Sequence, residues 1–499
     1  MDLSSLNGYQ SLVTLRVSQM RSQFTDLQRQ LGTGQKSETY GGLGSQRGLD
    51  VALRARLSEV QTWQSSIQTV GLRMDIAGKT LERITDIAME VADAADPNSF
   101  DVLPDGKTTG QNITQASLAE LVGLLNTDVG GRHLFGGRAV DDDPVATLNT
   151  IMVGDGTHAG FSQVVDERRQ ADLGPTVAAG NLGRIDVSSA GTTVTFAEDG
   201  VHPFGFKVTG VNSGLSNATV TGPAGSPAST DVDFTGQPAT GQVIRVYVDL
   251  PDGTSTDIAL TVGDGVEDNT FAVGATPADT AANFQAALTD ALANEAATTL
   301  RAASAMAAAD NFFNTTSGAA PQRVDGPPFD TATALVDGTA NTIAWYQGDN
   351  TADDPRSGVT ARIDDSLTVS YGMRANEEGL VNVIKSLAVY SNETFTANDD
   401  VDEQRHAALA ERVYEQLADQ SGSNTLRSLV VEASTIGYTI DRAEQRQTAM
   451  SGSLTEAVEA IEGVNMEEVA AKILSLQTLL EANYTTMARM ADMSLTNFI

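Results

Sequence analysis

The sequence predicts an α+β chain: a long α-helical, coiled-coil-like rod built from both chain ends, with a β-rich outer domain inserted between them. Three observations carry this. In the last stretch, Met466, Val469, Ile473, Leu476, Leu480, Met487 and Met490 fall at steps of three, four or seven, which puts them along one seam of a helix free of Pro and Gly. The opening stretch repeats the pattern with Leu6, Tyr9, Val13, Val17, Met20, Phe24, Leu27 and Leu31. Between about 151 and 343, Gly, Thr, Ser, Asp and Pro become common and short segments alternate apolar with polar. Both terminal seams are narrow and near-heptad, unlike the broad apolar face of a globular helix. They suit pairing with each other or with helices of neighbouring copies. The alternative is two core helices of one compact domain.

After the first helix, Gly32, Gly34, Gly41, Gly42, Gly44 and Gly48 break helical structure. No GK[ST] follows and no buried strand precedes, so a linker or ordered turn is expected rather than a phosphate loop. A second helix of some six heptads runs from about Leu49 to Ala95. Its stripe is Leu53, Leu57, Val60, Trp63, Ile67, Val70, Met74, Ala77, Leu81, Ile84, Ala88 and Val91, and Pro97 ends it. A shorter helix from Asn112 to Asn126 stops at Gly130-Gly131, followed by a strand at HLFGG. In the β-rich middle, strands are expected near Thr193, near Phe206 and across VIRVYVDLPDGTSTDIALTV, a hairpin turning at Asp252-Gly253. A helix at about Thr280 to Asn294 and an Ala-rich stretch at Ala302 to Asn311 follow. Strands near Ile343 and from Leu367 to Tyr371 lead to a helix starting near Glu377 with Leu380, Val383, Ile384 and Leu387 on its apolar face. A long helical region then runs from about Glu403 to Ile461. Ser421-Gly422 interrupts it, Gly437, Gly452 and Gly463 are weaker breaks, and Leu426, Val430, Ile440, Leu454, Val458 and Ile461 mark its seam. The expected division is 1–45 plus 464–499 as terminal helices of an inner core, 46–150 plus 341–463 as a rod with short β elements, and 151–340 as an exposed insert.

Charge follows the same division. The net charge is −34, of which the part before Pro97 carries about −1 and the part after Asp400 about −8, leaving about −25 in the middle. Such acidity argues against nucleic acid and anionic membranes as partners, since both need a basic footprint; a halophilic habitat is a second cause of it. There is no Cys, which removes disulfides, thiolate catalysis and Cys-based zinc sites. No apolar run reaches the length of about 18 residues that a membrane span needs. MDLSSLNGYQSLV lacks the basic-then-apolar layout of a cleaved secretory signal, so the expected place is the cytoplasm unless export uses another route.

Nothing in the motifs points to catalysis. His133, His158, His202 and His406 stand far apart, no HExxH or GxSxG occurs, and Asp141, Asp142 and Asp143 lack EF-hand spacing. No catalytic, cofactor or metal site is assigned, and Trp63 is read as core rather than as a ligand platform. The candidate site is an assembly interface: Leu6, Val13, Val17, Met20, Phe24, Leu27 and Leu31 from the first helix, with Val469, Ile473, Leu476, Leu480, Met487 and Met490 from the last.

Three stretches carry a resemblance. SQMRSQFTDLQRQLGTGQKS with its exit from Leu31 to Lys36, GLLNTDVGGRHLFGGRAVDDDPV from Gly123, and LQTLLEANYTTMARMADMSLTNFI together resemble the bacterial flagellin family, including the hook-associated proteins that join hook to filament. The Met-Ser-Leu ending is closer to the hook-associated branch. The likeness covers about the first 145 and the last 120 residues. His133 stands where an aromatic is usual, and SETYGGLGSQRGLD lacks the Asp-Asp-Ala type segment of filament flagellins. The resemblance implies a non-enzymatic structural subunit of the flagellum, exported without a cleaved signal peptide through a type III channel and lying outside the cell. Its implied partners are other copies of itself, neighbouring hook or filament subunits and an export chaperone. It also implies terminal helices that order on assembly, where burial offsets the ordering entropy. The hook–filament junction ranks ahead of a filament-forming flagellin. A cytoplasmic coiled-coil scaffold and an exported adhesin follow, and an enzyme comes last.

Overall fold

A computed structural model describes residues 3–418 and 425–496, with side chains described over 11–418 and 425–489. In chain order the elements are α1 (Leu3–Thr33), α2 (Arg47–Ala94), α3 (Thr109–Leu125), α4 (Leu148–Val153) and α5 (Phe161–Leu173). Ten strands follow: β1 (Thr176–Val177), β2 (Gly180–Asn181), β3 (Ile185–Ala190), β4 (Thr193–Glu198), β5 (Lys207–Ser213), β6 (Ala218–Ala224), β7 (Ser229–Phe234), β8 (Val243–Asp249), β9 (Ser255–Gly263) and β10 (Thr270–Ala272). Then come α6 (Pro277–Glu295), a π-helical turn at Ala296–Leu300, α7 (Arg301–Phe313), β11 (Gln322–Val324), β12 (Leu335–Asp337), β13 (Thr360–Arg362) and β14 (Thr368–Ser370). The chain closes with α8 (Glu378–Asn392), α9 (Asp400–Ala418), α10 (Leu426–Glu462) and α11 (Met466–Thr496). The class is α+β. Among the described residues, no helix is long and apolar enough to cross a membrane.

The chain divides into two compact units: Met1–Gly71, Ala361–Val369 and Tyr438–Ile499 form the smaller, and Leu72–Thr360 with Ser370–Gly437 the larger. The smaller is built from α1, the first half of α2, the second half of α10, and α11. In α2 the stripe is Val60, Trp63, Ile67 and Val70, all buried, and the Arg56 guanidinium lies 4.8 Å over the Trp63 ring. Buried α10 positions are Ile440, Ala443, Gln447, Val458 and Ile461. At Gly71 the two helices meet: a Cβ there would stand 3.5 Å from Ile440 Cγ2, an ordinary van der Waals contact. The α2 stripe continues past Gly71 at steps of three and four through Met74, Ala77, Leu81, Ile84, Ala88 and Val91.

Two four-stranded sheets shape the larger unit. One has the order β3-β4-β7-β6, all antiparallel, and the other β10-β9-β8-β5, with β10 joined parallel to β9. The hairpin read from the sequence is β8–β9, with Val243 opposite Thr261 and Asp249 opposite Ser255. In β8, Ile244, Val246 and Val248 are buried while Arg245, Tyr247 and Asp249 face outward, the period-two pattern of a half-buried strand. Gly253, at φ +82°, takes the left-handed turn position. α6 starts on a capping box between Thr276 and Asp279 and packs against both sheets. Phe284 meets Phe271 at 5.3 Å and Phe234 at 5.5 Å in that core.

A second layer of the larger unit is helical. α7 is buried on nearly every side by α5, α8 and α9. Its run of Ala302, Ala303, Ser304, Ala305, Ala307, Ala308 and Ala309 is small enough for three neighbours to approach. Phe161 packs on Phe312 and Phe313 at 5.7 and 5.3 Å, and Trp345 Nε1 donates to the Phe313 carbonyl at 3.1 Å.

Several expectations need correction. HLFGG forms isolated bridges at His133 and Gly136 rather than a strand. A Cβ on Gly136 would stand 2.0 Å from the Ala139 carbonyl oxygen, so the backbone folds too tightly there for a ladder. The segment near Ile343 likewise makes single bridges at Thr342 and Tyr346. Residues 151 to 173, which open the part read as β-rich, hold the end of α4 and all of α5. Gly437 and Gly452 lie inside an uninterrupted α10. The expected break at Ser421-Gly422 lies outside the described residues, between α9 and α10.

Candidate assembly interface

The terminal helices α1 and α11, each of 31 residues, pack on one another in the smaller unit. Most seam positions read from the sequence are covered, but Met466, which opens the C-terminal seam, is exposed. Val17, Val469 and Leu480 are buried, Val13, Met20, Phe24, Leu27, Ile473, Leu476 and Met487 are half-buried, and Leu31 stands at the edge of the contact, exposed. The side chains of Leu6 and Met490 lie outside the described residues. Polar contacts fix the register: Asn483 Nδ2 lies 3.6 Å from Met20 Sδ, and the Arg21 guanidinium lies 5.5 Å from the Tyr484 ring centre.

The cover is incomplete. Leu12 and Leu15 on α1 are 61 % and 60 % exposed, and Leu474 and Leu479 on α11 are 65 % and 50 % exposed. A groove of about 370 Å³ runs between the two helices, lined by Gln23, Asp26, Leu27, Lys472, Ser475, Leu476 and Leu479. By contrast, the cavity beside His133 in the larger unit is about 30 Å³, room for a water rather than a substrate. His133 itself has Nδ1 3.0 Å from the Asn126 carbonyl oxygen, a role in turn structure.

A junction that the sequence did not single out closes the pair at one end. Past α1, Gln35 bridges to Gly463, Lys36 N–H donates to the Glu462 carbonyl at 2.7 Å, and Val464 N–H donates to the Gly34 carbonyl at 3.0 Å. The Lys36 ammonium donates to the carbonyls of Ile461 at 2.8 Å and Ala460 at 3.1 Å, placing a cation at the negative end of α10. Arg54 on α2 binds the Glu462 carboxylate with both Nε and Nη2. Next to this pair, burial and then the Glu462 charge push the Asp50 carboxyl above its ordinary value. Asn465 Oδ1 accepts from the N–H groups of Glu467 and Glu468 at 3.0 and 3.1 Å and so starts α11. The sequence reading marked Gly463 only as a break and Lys36 only as part of the first helix's exit. The signal for their meeting, a Gly-rich exit and a Gly-Val-Asn start more than 400 residues apart, is not local.

Among the described residues, no group of three or more His, Asp or Glu side chains is placed to hold a metal ion. A scan of the chain against protein-family models finds no match, and neither does a search of curated proteins.

Proposed function

We propose that this chain is a non-enzymatic structural subunit of the bacterial flagellum that assembles through its N- and C-terminal helices, with the hook–filament junction as its place. In this reading the α1–α11 pair, together with the long helices α2 and α10, forms a coiled-coil-like rod. The observation that carries the proposal is the incomplete cover of α1 and α11. Two long amphipathic helices bury one seam in each other and leave Leu12, Leu15, Leu474 and Leu479 in water. Neighbouring copies that cover these exposed leucines head to tail, without closing a ring, build a helical tube. The resemblance of both chain ends to flagellins points the same way, as does the concentration of negative charge in the middle of the sequence, which favours solvent there over packing.

The experiment is immuno-electron microscopy of cells that make the protein. The junction reading expects label at a band between hook and filament. Label along the whole filament would reassign the chain to the filament itself, and label confined to the cytoplasm would overturn the flagellar reading. Deleting Met466–Ile499 is expected to leave a folded monomer that does not enter the structure.

A further inference from the structure

One carboxyl of the smaller unit is shut off from water with nothing to donate to it. Asp50, in the first turn of α2, has no exposed side-chain surface, and neither Oδ1 nor Oδ2 has a hydrogen-bond donor among the described residues. The cation beside it is Arg54, one turn further along α2, whose Nε stands 3.6 Å from Asp50 Oδ2. That N–H is spent on another carboxylate: it donates to Glu462 Oε1 at 2.8 Å, while Nη2 donates to Glu462 Oε2. The Lys36 ammonium is spent on the carbonyls of Ile461 and Ala460, and Tyr40, in the turn before α2, interacts with Arg54.

What Asp50 does meet is Glu462, within hydrogen-bonding reach at the end of α10. Two ionised carboxylates are acceptors only, so their contact holds when one of them carries a proton. Arg54 decides which. Its two donors keep Glu462 charged, and the proton falls to the buried partner. Burial first and the Glu462 charge second outweigh the pull of Arg54 and raise the Asp50 carboxyl above its ordinary value.

We propose that Asp50 keeps a proton that it donates to Glu462, and that this acid–carboxylate pair is a pH-responsive latch on the junction that joins the end of α1 to the end of α10 and the start of α11. Glu462 itself accepts from Lys36 N–H through its carbonyl at 2.7 Å, and two residues on Val464 N–H donates to Gly34 at 3.0 Å. Its position therefore sets both backbone ties. In the folded chain Asp50 holds its proton to higher pH than in the unfolded one. The latch is complete below the ordinary carboxylate range and weakens as pH rises through the raised value. It acts within one chain and stands whether or not subunits assemble.

The test is hydrogen exchange of the full-length protein, followed by mass spectrometry over peptides that contain Lys36 and Val464. It is read as the ratio of protection in Asp50→Asn to that in the parent at each pH, which cancels the intrinsic pH dependence of exchange. Asn supplies at every pH the donor that the acid supplies only while protonated. The ratio is expected near one at about pH 4 and at least about tenfold in favour of D50N by about pH 8. A flat ratio overturns the proposal. So does weaker protection in D50N, which makes Asp50 an ionised partner of Arg54. If D50N does not fold, the infrared difference between the parent and Glu462→Gln at neutral pH decides. The Gln amide donates to Asp50 and lets it ionise beside Arg54, so a protonated-carboxyl band present in the parent and lost in E462Q supports the latch. Equal bands in the two proteins, or none in either, sink it.

Discussion

Replacing Ile473, Leu476 and Leu480 together by Ser tests whether the terminal helices are held by their shared seam. Leu480 is 8 % exposed, so most of the value of a fully buried leucine, about 2 kcal/mol, is lost on truncation to a hydroxymethyl group. Ile473 and Leu476 are half-buried and contribute about 1 kcal/mol each. The sum, about 4 kcal/mol, corresponds to about a thousandfold in a local opening equilibrium. Hydrogen exchange followed by mass spectrometry reads this segment by segment. Protection should fall together in α11 and in α1, which is not mutated, because each covers the other's seam. Amides of β8, β9 and α6, whose core is built on Phe234, Phe271 and Phe284, should keep their rates, and incorporation into the assembled structure should be lost. Unchanged protection in α1 would show that something other than α11 orders it. An equal loss in β8 and α6 would show that the ends and the β-rich core fold as one unit, and either result refutes the reasoning.

Three further outcomes are expected. His406 is fully buried between Phe100, Phe395 and Tyr390, and burial, against the pull of Asp96, lowers its pKa from 6.5 to about 4. The folded form therefore resists the proton that the unfolded form accepts: this contribution is complete above pH 6.5 and is lost as pH falls toward 4, about 2 kcal/mol by pH 5, visible in urea midpoints of the parent protein and absent in His406→Phe. Gly183→Ala places a Cβ 2.4 Å from the Phe206 ring at a position with φ +62°, and should cost about 2–4 kcal/mol, measured by thermal melting. Leu474→Lys, at a position 65 % exposed and outside the groove between the helices, should leave the α1–α11 pair protected from exchange yet stop assembly; assembly at the parental rate would mean that this leucine is idle.

How much was legible in advance depends on what each segment buries. The α2 stripe was readable from Val60 to Val91 because all but one of the buried positions, Thr80, are apolar and the three-four spacing is unbroken. The β8–β9 hairpin was readable because Asp252-Gly253 sits between two alternating strands. α5 was not. Its inward positions include Glu167, Arg168 and Asp172, which hydropathy assigns to solvent. They are buried because each has a partner: Glu167 binds Arg323 on β11 through both carboxylate oxygens, and Arg168 pairs with Asp172 at 2.8 Å while lying 5.2 Å over the Phe204 ring. Long-range ion pairs of this kind hide a core helix from any reading based on apolar periodicity. The seam residues of the α1–α11 contact were legible for the same reason as α2, whereas the junction at Lys36, Arg54 and Glu462 was not, since each residue looks like ordinary surface charge until the turns meet.

The side chains of a helix record how many neighbours it was built to have. α7 answers three neighbours with alanine, so that α5, α8 and α9 can close on it from different sides. α11 has a different composition. On the seam side it carries Val469, Ile473, Leu476, Leu480 and Met487, a stripe about as wide as one partner helix requires. Off the seam it carries Leu474 and Leu479 rather than only the Glu, Lys and Ser that serve a solvated face, and α1 does likewise with Leu12 and Leu15. A single exposed leucine needs no explanation. Four of them on two helices that already pack on each other within the smaller unit, with Leu479 lining the open groove of about 370 Å³ between them, form a recurring pattern. On the proposed reading, these leucines serve a second kind of neighbour, other subunits met on assembly, beside the opposite chain end met within the molecule.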